Sequence, residues 1–272
     1  HNVLKDSLGY ESLALLRYKT RPARPVTKKN PELIVSLTSF PARYEILGWT
    51  LMTLASQSLR PDVIRLNIPE GTRALIPAST VNVMKNINVE VEENPSELGS
   101  YRKMLPTIRS YPNSAIVVAD DDLYYPRNWL KTLVRNYSNS GGTVSGHRGH
   151  LIKFNLNLQP LPYDSWEQNL RSPRVGYDVL LTSGAGMLFP PKSLPKCSTD
   201  FDIIKELAPT SDDIWFWRMI LLAGSVSKKI GGKKYLYGWR MTNESSLSIG
   251  NVKGKENDIA MSKIIDEYPL MF

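Results

Sequence analysis

A chain of 272 residues, 42% hydrophobic and 22% charged, can bury one large α/β core or two small ones, and its composition is that of a globular protein. No stretch approaches the roughly 18 consecutive apolar residues of a membrane span, and no secretory signal pattern is present. The single cysteine, Cys197, excludes an internal disulfide and a Cys-based zinc site and fits a reducing, cytoplasmic compartment. The chain opens on His1 rather than Met, which reads as a trimmed chain or an excised domain and leaves a flanking anchor open. The net charge of +8 is concentrated at Arg17, Lys19, Arg21, Arg24, Lys28 and Lys29 and again at Lys228, Lys229, Lys233 and Lys234. Zinc-finger, RNP-like and helix-turn-helix signatures are missing, which argues against nucleic acid. The functional reading of the clusters is a peripheral contact with an anionic membrane, and the plain one is a solvated basic surface.

Residues 8–18 carry leucines at amphipathic spacing and predict a short helix, followed by a proline- and base-rich linker from Thr20 to Pro31. Leu33–Leu37 is the first core strand. Thr38-Ser-Phe-Pro-Ala-Arg43 then turns into a helix with Leu47, Leu51 and Leu54 on one face. A strand near Val63–Ile68, a variable region to Asn86 and a strand near Ile87–Val91 complete an alternation that implies a parallel sheet with helices on both faces. Gly99 opens a helix of about ten residues whose first turn carries Arg102 and Lys103. There they either hold phosphate or lie exposed.

Ala115-Ile-Val-Val-Ala119 reads as a buried central strand. It runs into Asp120-Asp121-Asp122, where open α/β sheets place ligands. Three adjacent carboxylates repel one another unless a cation or strong donors stand by, and oxygen donors suit Mg²⁺ or Mn²⁺. The alternative is an acidic loop capping the helix that starts near Pro126. Trp129, Leu130, Leu133 and Val134 form one helix face, and Thr143–His147 a further strand ending in His147-Arg-Gly-His150. Thr182-Ser-Gly184-Ala185-Gly186 allows close backbone approach by a ligand or a tight bend. Asp212-Asp213 follows the cap candidates Thr210 and Ser211 at the start of a helix with Ile214, Trp217, Ile220 and Leu221. Acids in that first turn also have a purely electrostatic explanation. A hairpin around Gly231-Gly232 and a last helix ending near Tyr268 close the chain.

In order and spacing these segments resemble the nucleotide-sugar glycosyltransferases of the GT-A fold, in particular the family 2-like group and bacterial enzymes that build surface polysaccharides. The likeness covers roughly residues 33–230 and rests on Val35–Arg43, the acid triplet, the Thr182–Phe189 segment, and Asp212-Asp213 with Ala223-Gly224 in register. It implies a single mostly parallel, Rossmann-like α/β domain at 33–240. A nucleotide-sugar half would span 33–126 and an acceptor half 127–240, with an N-terminal helix and linker at 1–32 and a tail with a helix at 241–272. It also implies a hexosyltransferase-like activity that moves a sugar from a nucleoside diphosphate, UDP favoured, to a glycan or lipid-linked hydroxyl.

By resemblance, Asp122 is the direct ligand of Mn²⁺ or Mg²⁺ and Asp120 holds the ribose or a metal-bound water. His147 or His150 would complete the shell unless both are surface-turn residues. Thr38, Ser39, Arg43, Lys103 and Asp121 fall to the nucleotide sugar, and Gly184, Ala185, Gly186 and Trp215 to the acceptor. Asp213, or Asp212, would be the base of an inverting transfer. The Q-x-x-R-W element of processive members is absent, which disfavours processive synthesis, and Asp212 stands where that group usually has Glu. A metal-dependent phosphohydrolase, a retaining transferase or a module binding an anionic polymer are the competing readings.

Overall fold

In a computed structural model, which describes residues 7–21, 32–136, 143–231, 237–239 and 256–270 with side chains from residue 9 onward, the apolar runs of the first half become adjacent strands. β1 (Leu33–Thr38) lies between β2 (Val63–Pro69) and β4 (Ala115–Ala119), and β3 (Glu90–Asn94) borders β2. All three pairings are parallel, with Leu33 opposite Ala115 and Ile34 opposite Val63. Every residue of β4 is buried, as a strand covered on both faces requires. Its side chains divide accordingly: Ile116 and Val118 enter one hydrophobic cluster, Val117 and Ala119 the other.

The first of these clusters holds residues of the helices α4 (Leu105–Ser110), α6 (Phe201–Leu207), α7 (Asp212–Leu222) and α8 (Glu256–Glu267). The second holds residues of α2 (Tyr44–Ala55), α3 (Ala78–Ile87) and α5 (Trp129–Arg135). Helix α1 (Ser7–Lys19) adds Tyr18 to the second cluster, while its Tyr10, Leu13 and Ala14 join Trp49, Tyr124, Tyr237 and Trp239 in a third. Beyond β4 the sheet continues with β10 (Met187–Phe189), antiparallel to both β4 and β6 (Val144–Gly146). It ends with β11 (Ser227–Lys229) and β8 (Arg174–Gly176). Four short strands stand outside it among the described residues: β5 (Leu123–Tyr124), paired with β12 (Tyr237–Gly238), and β7 (Gly149–Leu151), paired with β9 (Val179–Leu181).

This topology brings the functional segments to one edge. β1 turns back to β2 and β3 on one side while β4 lies on the other, so the crevice between the carboxyl ends of β1 and β4 is a topological switch point. Because β10 runs antiparallel, its amino end meets the carboxyl end of β4, with Met187 opposite Val118. The 182–186 turn therefore arrives beside Asp120.

Several sequence expectations shift in detail. The variable region contains α3, whose Thr80, Val83, Met84 and Ile87 are buried and whose end is capped by Asn88 in the left-handed region (φ 54°). The third strand consequently begins at Glu90 rather than Ile87. The expected helix from Gly99 is a run of 3₁₀ turns over Ser96–Lys103, broken at Gly99 (φ 50°, ψ −129°), followed by the six-residue α4. Arg102 and Lys103 are buried rather than exposed. The hairpin expected around Gly231-Gly232 lies mostly outside the described residues, as do Arg24, Lys28, Lys29, Lys233 and Lys234. Of the described basic residues, Arg17 donates to the Tyr124 hydroxyl, Arg21 to the Tyr18 and Asn86 carbonyls, and Lys229 is buried. Among the described residues no helix is long and apolar enough to cross a membrane.

Candidate active site

The three aspartates after β4 are held in three different ways. Asp121 is buried. It accepts from Ser39 Oγ at 2.5 Å and from Arg43 Nη1 at 2.9 Å, so the turn after β1 is tied to the turn after β4. The same guanidinium nitrogen lies 2.9 Å from Asp122 Oδ2. Asp120 turns the other way, toward Lys103 Nζ at 3.1 Å. Burial raises the Asp121 carboxyl, against Arg43 and Ser39, which favour its charged form. Asp122 is pushed up to about 7 by burial and by the Asp120 charge, with Arg43 opposing and Asp121 adding to the rise.

Lys103 is the junction of the site. Its backbone is fixed to β1 where Ser36 Oγ donates to the Lys103 carbonyl at 2.6 Å, within a buried set that includes Thr107 and Asn67. Its ammonium reaches Asp120 Oδ1, donates to Ser183 Oγ at 2.7 Å and lies 3.3 Å from Asp212 Oδ2. Burial alone would lower this lysine, but the carboxylates of Asp120, Asp212 and Asp213 outweigh it and hold the ammonium charged well above the usual lysine range. Asp213 accepts from the Ser183 amide at 2.9 Å. Its carboxyl is pushed up to about 7 by burial and by the Asp212 charge, against Lys103 and the Ser183 hydrogen bonds. Ser211 occupies the N-cap position of α7, yet its hydroxyl pairs with Asn257 of α8 instead of capping the helix.

The glycines of the 182–186 turn have steric reasons. A Cβ on Gly184 would stand 2.3 Å from Asp120 Oδ2. Gly186 has φ +101°, and a Cβ there would stand 2.5 Å from the Trp129 ring. Tyr125 and Trp129 hold this turn from below, through Tyr125 Oη to the Gly184 carbonyl (3.0 Å) and Trp129 Nε1 to the Ala185 carbonyl (2.8 Å).

Not every expected residue joins the cluster. Trp215 is fully buried, its indole N–H spent on the Ser198 carbonyl and its ring against Tyr268, so it offers no surface to an acceptor. His147 and His150 are buried rather than surface-turn residues. His147 Nε2 pairs with the Trp129 carbonyl and the ring stacks on Trp129, which takes that nitrogen away from a metal. His150 Nδ1 accepts from the Asn169 amide, and burial together with Arg148 pushes the ring down to about 3. Thr38 donates to the Asn67 carbonyl, and Arg102 to the Pro95 and Ser96 carbonyls and, at 3.5 Å, to Thr38. Ser183, which the sequence marked only as part of its glycine-containing segment, joins the site with Tyr125 and Thr50, which nothing in their sequence context singled out. Each acts through a backbone contact or a lysine far away in the chain.

Asp120 and Asp122 keep side chains 35% and 17% exposed, while Asp121 keeps 5% and is already saturated by Ser39 and Arg43. Two partly exposed hard-oxygen carboxylates, one lifted by burial and by the Asp120 charge, suit Mg²⁺ or Mn²⁺. Mg²⁺ binds typically through one or two carboxylates and completes its shell with water and substrate phosphates. Among the described residues no group of three or more His, Cys, Asp or Glu forms a complete cage, and such a site does not need one.

No protein-family model and no curated protein matches the sequence. Among solved structures the chain is similar to the mannosyltransferase PcManGT from Pyrobaculum calidifontis, determined with GDP-Man and Mn²⁺. Identity is 12% over 96% of this chain and 72% of that one, with a TM-score of 0.53. It is also similar to residues 1–349 of S. aureus TarS, at 14% identity over 88% of this chain and 72% of that one, with a TM-score of 0.51. At these identities the likeness is one of fold. The fold is of the GT-A type, a mostly parallel central sheet flanked by helices.

Proposed function

We propose that this protein is a metal-dependent glycosyltransferase that moves a sugar from a nucleoside diphosphate to a hydroxyl of a glycan or lipid-linked glycan, with inversion. The observation that supports this most is the convergence of both acid groups on one ammonium, Asp120 at 3.1 Å and Asp212 at 3.3 Å from Lys103 Nζ. A donor end and an acceptor end are thereby brought within one side chain's reach at the carboxyl edge of the sheet, where such folds bind nucleotides. The mannosyltransferase of similar fold was determined with GDP-Man and Mn²⁺, which favours the same classes of donor and ion here.

In this reading Asp122 and Asp120 hold the divalent cation, which when bound neutralises charge on the leaving diphosphate as a Lewis acid. Thr38 and Ser39 line the nucleoside side, and Arg43 and Lys103 keep positive charge at the edge the phosphates approach. Asp213 takes the proton from the acceptor hydroxyl. A carboxylate at about 7 is a stronger base than an ordinary aspartate and is still half ionised at neutral pH. Lys103, held between Asp120 and Asp212, ties the two acid groups together. The Gly184–Gly186 turn, bare at its two glycines, packs directly against Asp120 and Trp129, so the segment read as the acceptor's touches the carboxylate read as the donor's.

Incubation with Mn²⁺ and a panel of UDP-, GDP- and CMP-sugars tests the reading, since slow nucleotide release supports it and release of inorganic phosphate favours a phosphohydrolase. Asp213→Asn is expected to abolish transfer while nucleotide binding stays nearly intact. Turnover at the normal rate would place the base elsewhere. Retained anomeric configuration in the product, read by NMR, would overturn inversion.

A further inference from the structure

We propose that Trp239 is a positioning residue for the acid triplet, a role that rests on the nucleotide-site reading above. The backbone of residues 120–123 is pinned at every step. The Asp120 amide donates to Tyr125 Oη at 2.7 Å. Thr50 Oγ1, on α2, lies 2.7 Å from the Asp121 carbonyl and 3.1 Å from the Leu123 carbonyl. The Asp122 carbonyl between them accepts from the Trp239 amide at 3.1 Å, and β12 continues this pairing with Gly238 opposite Leu123 and Tyr237 opposite Tyr124.

Trp239 then reaches the same point a second time, because its indole Nε1 donates to Thr50 Oγ1 at 2.9 Å. The side chain is 2% exposed and packs on Trp49 and edge-on to Tyr124. A donor to a hydroxyl that is itself donating polarises it and strengthens its outgoing bond. Indole, hydroxyl and Asp121 carbonyl thus form a relay, and the direct bond to Asp122 fixes the next peptide. Side chains at 121 and 122 take their direction from these peptides, which is how a distant segment sets the aim of the carboxylates toward the cation and Arg43. Outer-shell partners of metal-holding carboxylates act in this way. The two bonds described run from Trp239 to a backbone carbonyl of the triplet and to Thr50, so its effect falls on donor binding rather than on proton transfer.

The probes are UDP and GDP, each titrated with Mn²⁺ into the purified full chain by calorimetry, with thermal melting measured in parallel. Trp239→Phe keeps an aromatic ring in the cluster and removes the N–H. Thr50→Val removes the relay hydroxyl, and Thr50→Ser retains it. The expected result is a nucleotide affinity weaker by about tenfold in Trp239→Phe and in Thr50→Val, affinity close to wild type in Thr50→Ser, and no further loss when Trp239→Phe is added to Thr50→Val. Wild-type affinity in Thr50→Val overturns the relay whatever Trp239→Phe does, including failure to fold. Additive losses in the double variant, or losses that merely track the melting temperature, also overturn it. A wild-type chain that binds neither nucleotide overturns the underlying site reading instead, and the two failures are told apart by that single control.

Discussion

Replacing Lys103 by Met removes the charge that joins both halves of the site while keeping most of the stem's volume. The side chain is 8% exposed, and its loss leaves Ser183 Oγ without its donor and Asp212 Oδ2, a buried oxygen that no hydrogen bond reaches, without its ion pair. Removing one partner of a buried pair costs about 3–5 kcal/mol, and the lower end applies because Asp120 is 35% exposed and partly screened. At this chain size about 3 kcal/mol corresponds to a melting temperature lower by about 6–12 °C. The loss should depend on pH. Lys103 is charged throughout the neutral range, so the dependence comes from the acids around it. Asp213, already at about 7, moves higher once the ammonium is gone. Near pH 8 the variant must hold ionised carboxylates together or fold with a bound proton, whereas near pH 5 Asp213 is neutral in both proteins and the penalty shrinks. Calorimetric melting of both proteins at those two pH values is the assay. A drop below about 2 °C at pH 8, or a drop larger at pH 5 than at pH 8, would refute the reasoning.

Asp122→Asn should stabilise the metal-free protein near pH 8. A carboxyl raised to about 7, above its unfolded value of about 3.9, contributes stability that is lost as pH rises through that interval, and Asn carries no such dependence. The expected gain is about 1 kcal/mol or more, a melting temperature higher by about 2–4 °C, with Mn²⁺-dependent nucleotide binding lost in calorimetry. The kcat/KM profile for transfer should rise through about pH 7 as Asp213 ionises, and a flat profile between pH 6 and 8 would contradict its role as base. Gly186→Ala forces a Cβ to 2.5 Å from the Trp129 ring at φ +101°. It should cost roughly 3 kcal/mol, seen as earlier urea unfolding followed by tryptophan fluorescence.

Much of the part of the candidate site built on β1 and β4 was legible because its signals are local. The strand before Asp120 is a continuous apolar run, and Ser39 and Arg43 sit in the turn that directly follows β1, so the resemblance could carry them over without knowing any contact. Lys103 was found for an incomplete reason. Its place in the chain suggested phosphate, but its links to Ser183 and Asp212 depend on β10 reversing direction, which no local pattern encodes. α3 escaped because Thr80, Val81 and Val83 lower helix propensity, and the helix forms when Val83, Met84 and Ile87 find burial. His147, His150 and Trp215 illustrate the opposite failure. Residue types able to ligate or stack occur there, and only the fold shows them buried, with His147 Nε2, His150 Nδ1 and Trp215 Nε1 each given to a backbone partner. Trp239 was invisible for a related reason, since an aromatic in a polar tail gives no hint of pairing with a strand over a hundred residues earlier.

The turn from Ser183 to Gly186 is a wall with two rooms on it. Gly184 leaves no space for a methyl group beside Asp120, its carbonyl rests on Tyr125, and the next carbonyl rests on Trp129. On the proposed reading, a substitution that reshapes this wall for a new acceptor also pushes on the carboxylate that serves the donor. Acceptor choice and donor choice therefore cannot drift apart one mutation at a time. Grafting this turn from another protein of the same fold would require Asp120, Tyr125 and Trp129 to travel with it.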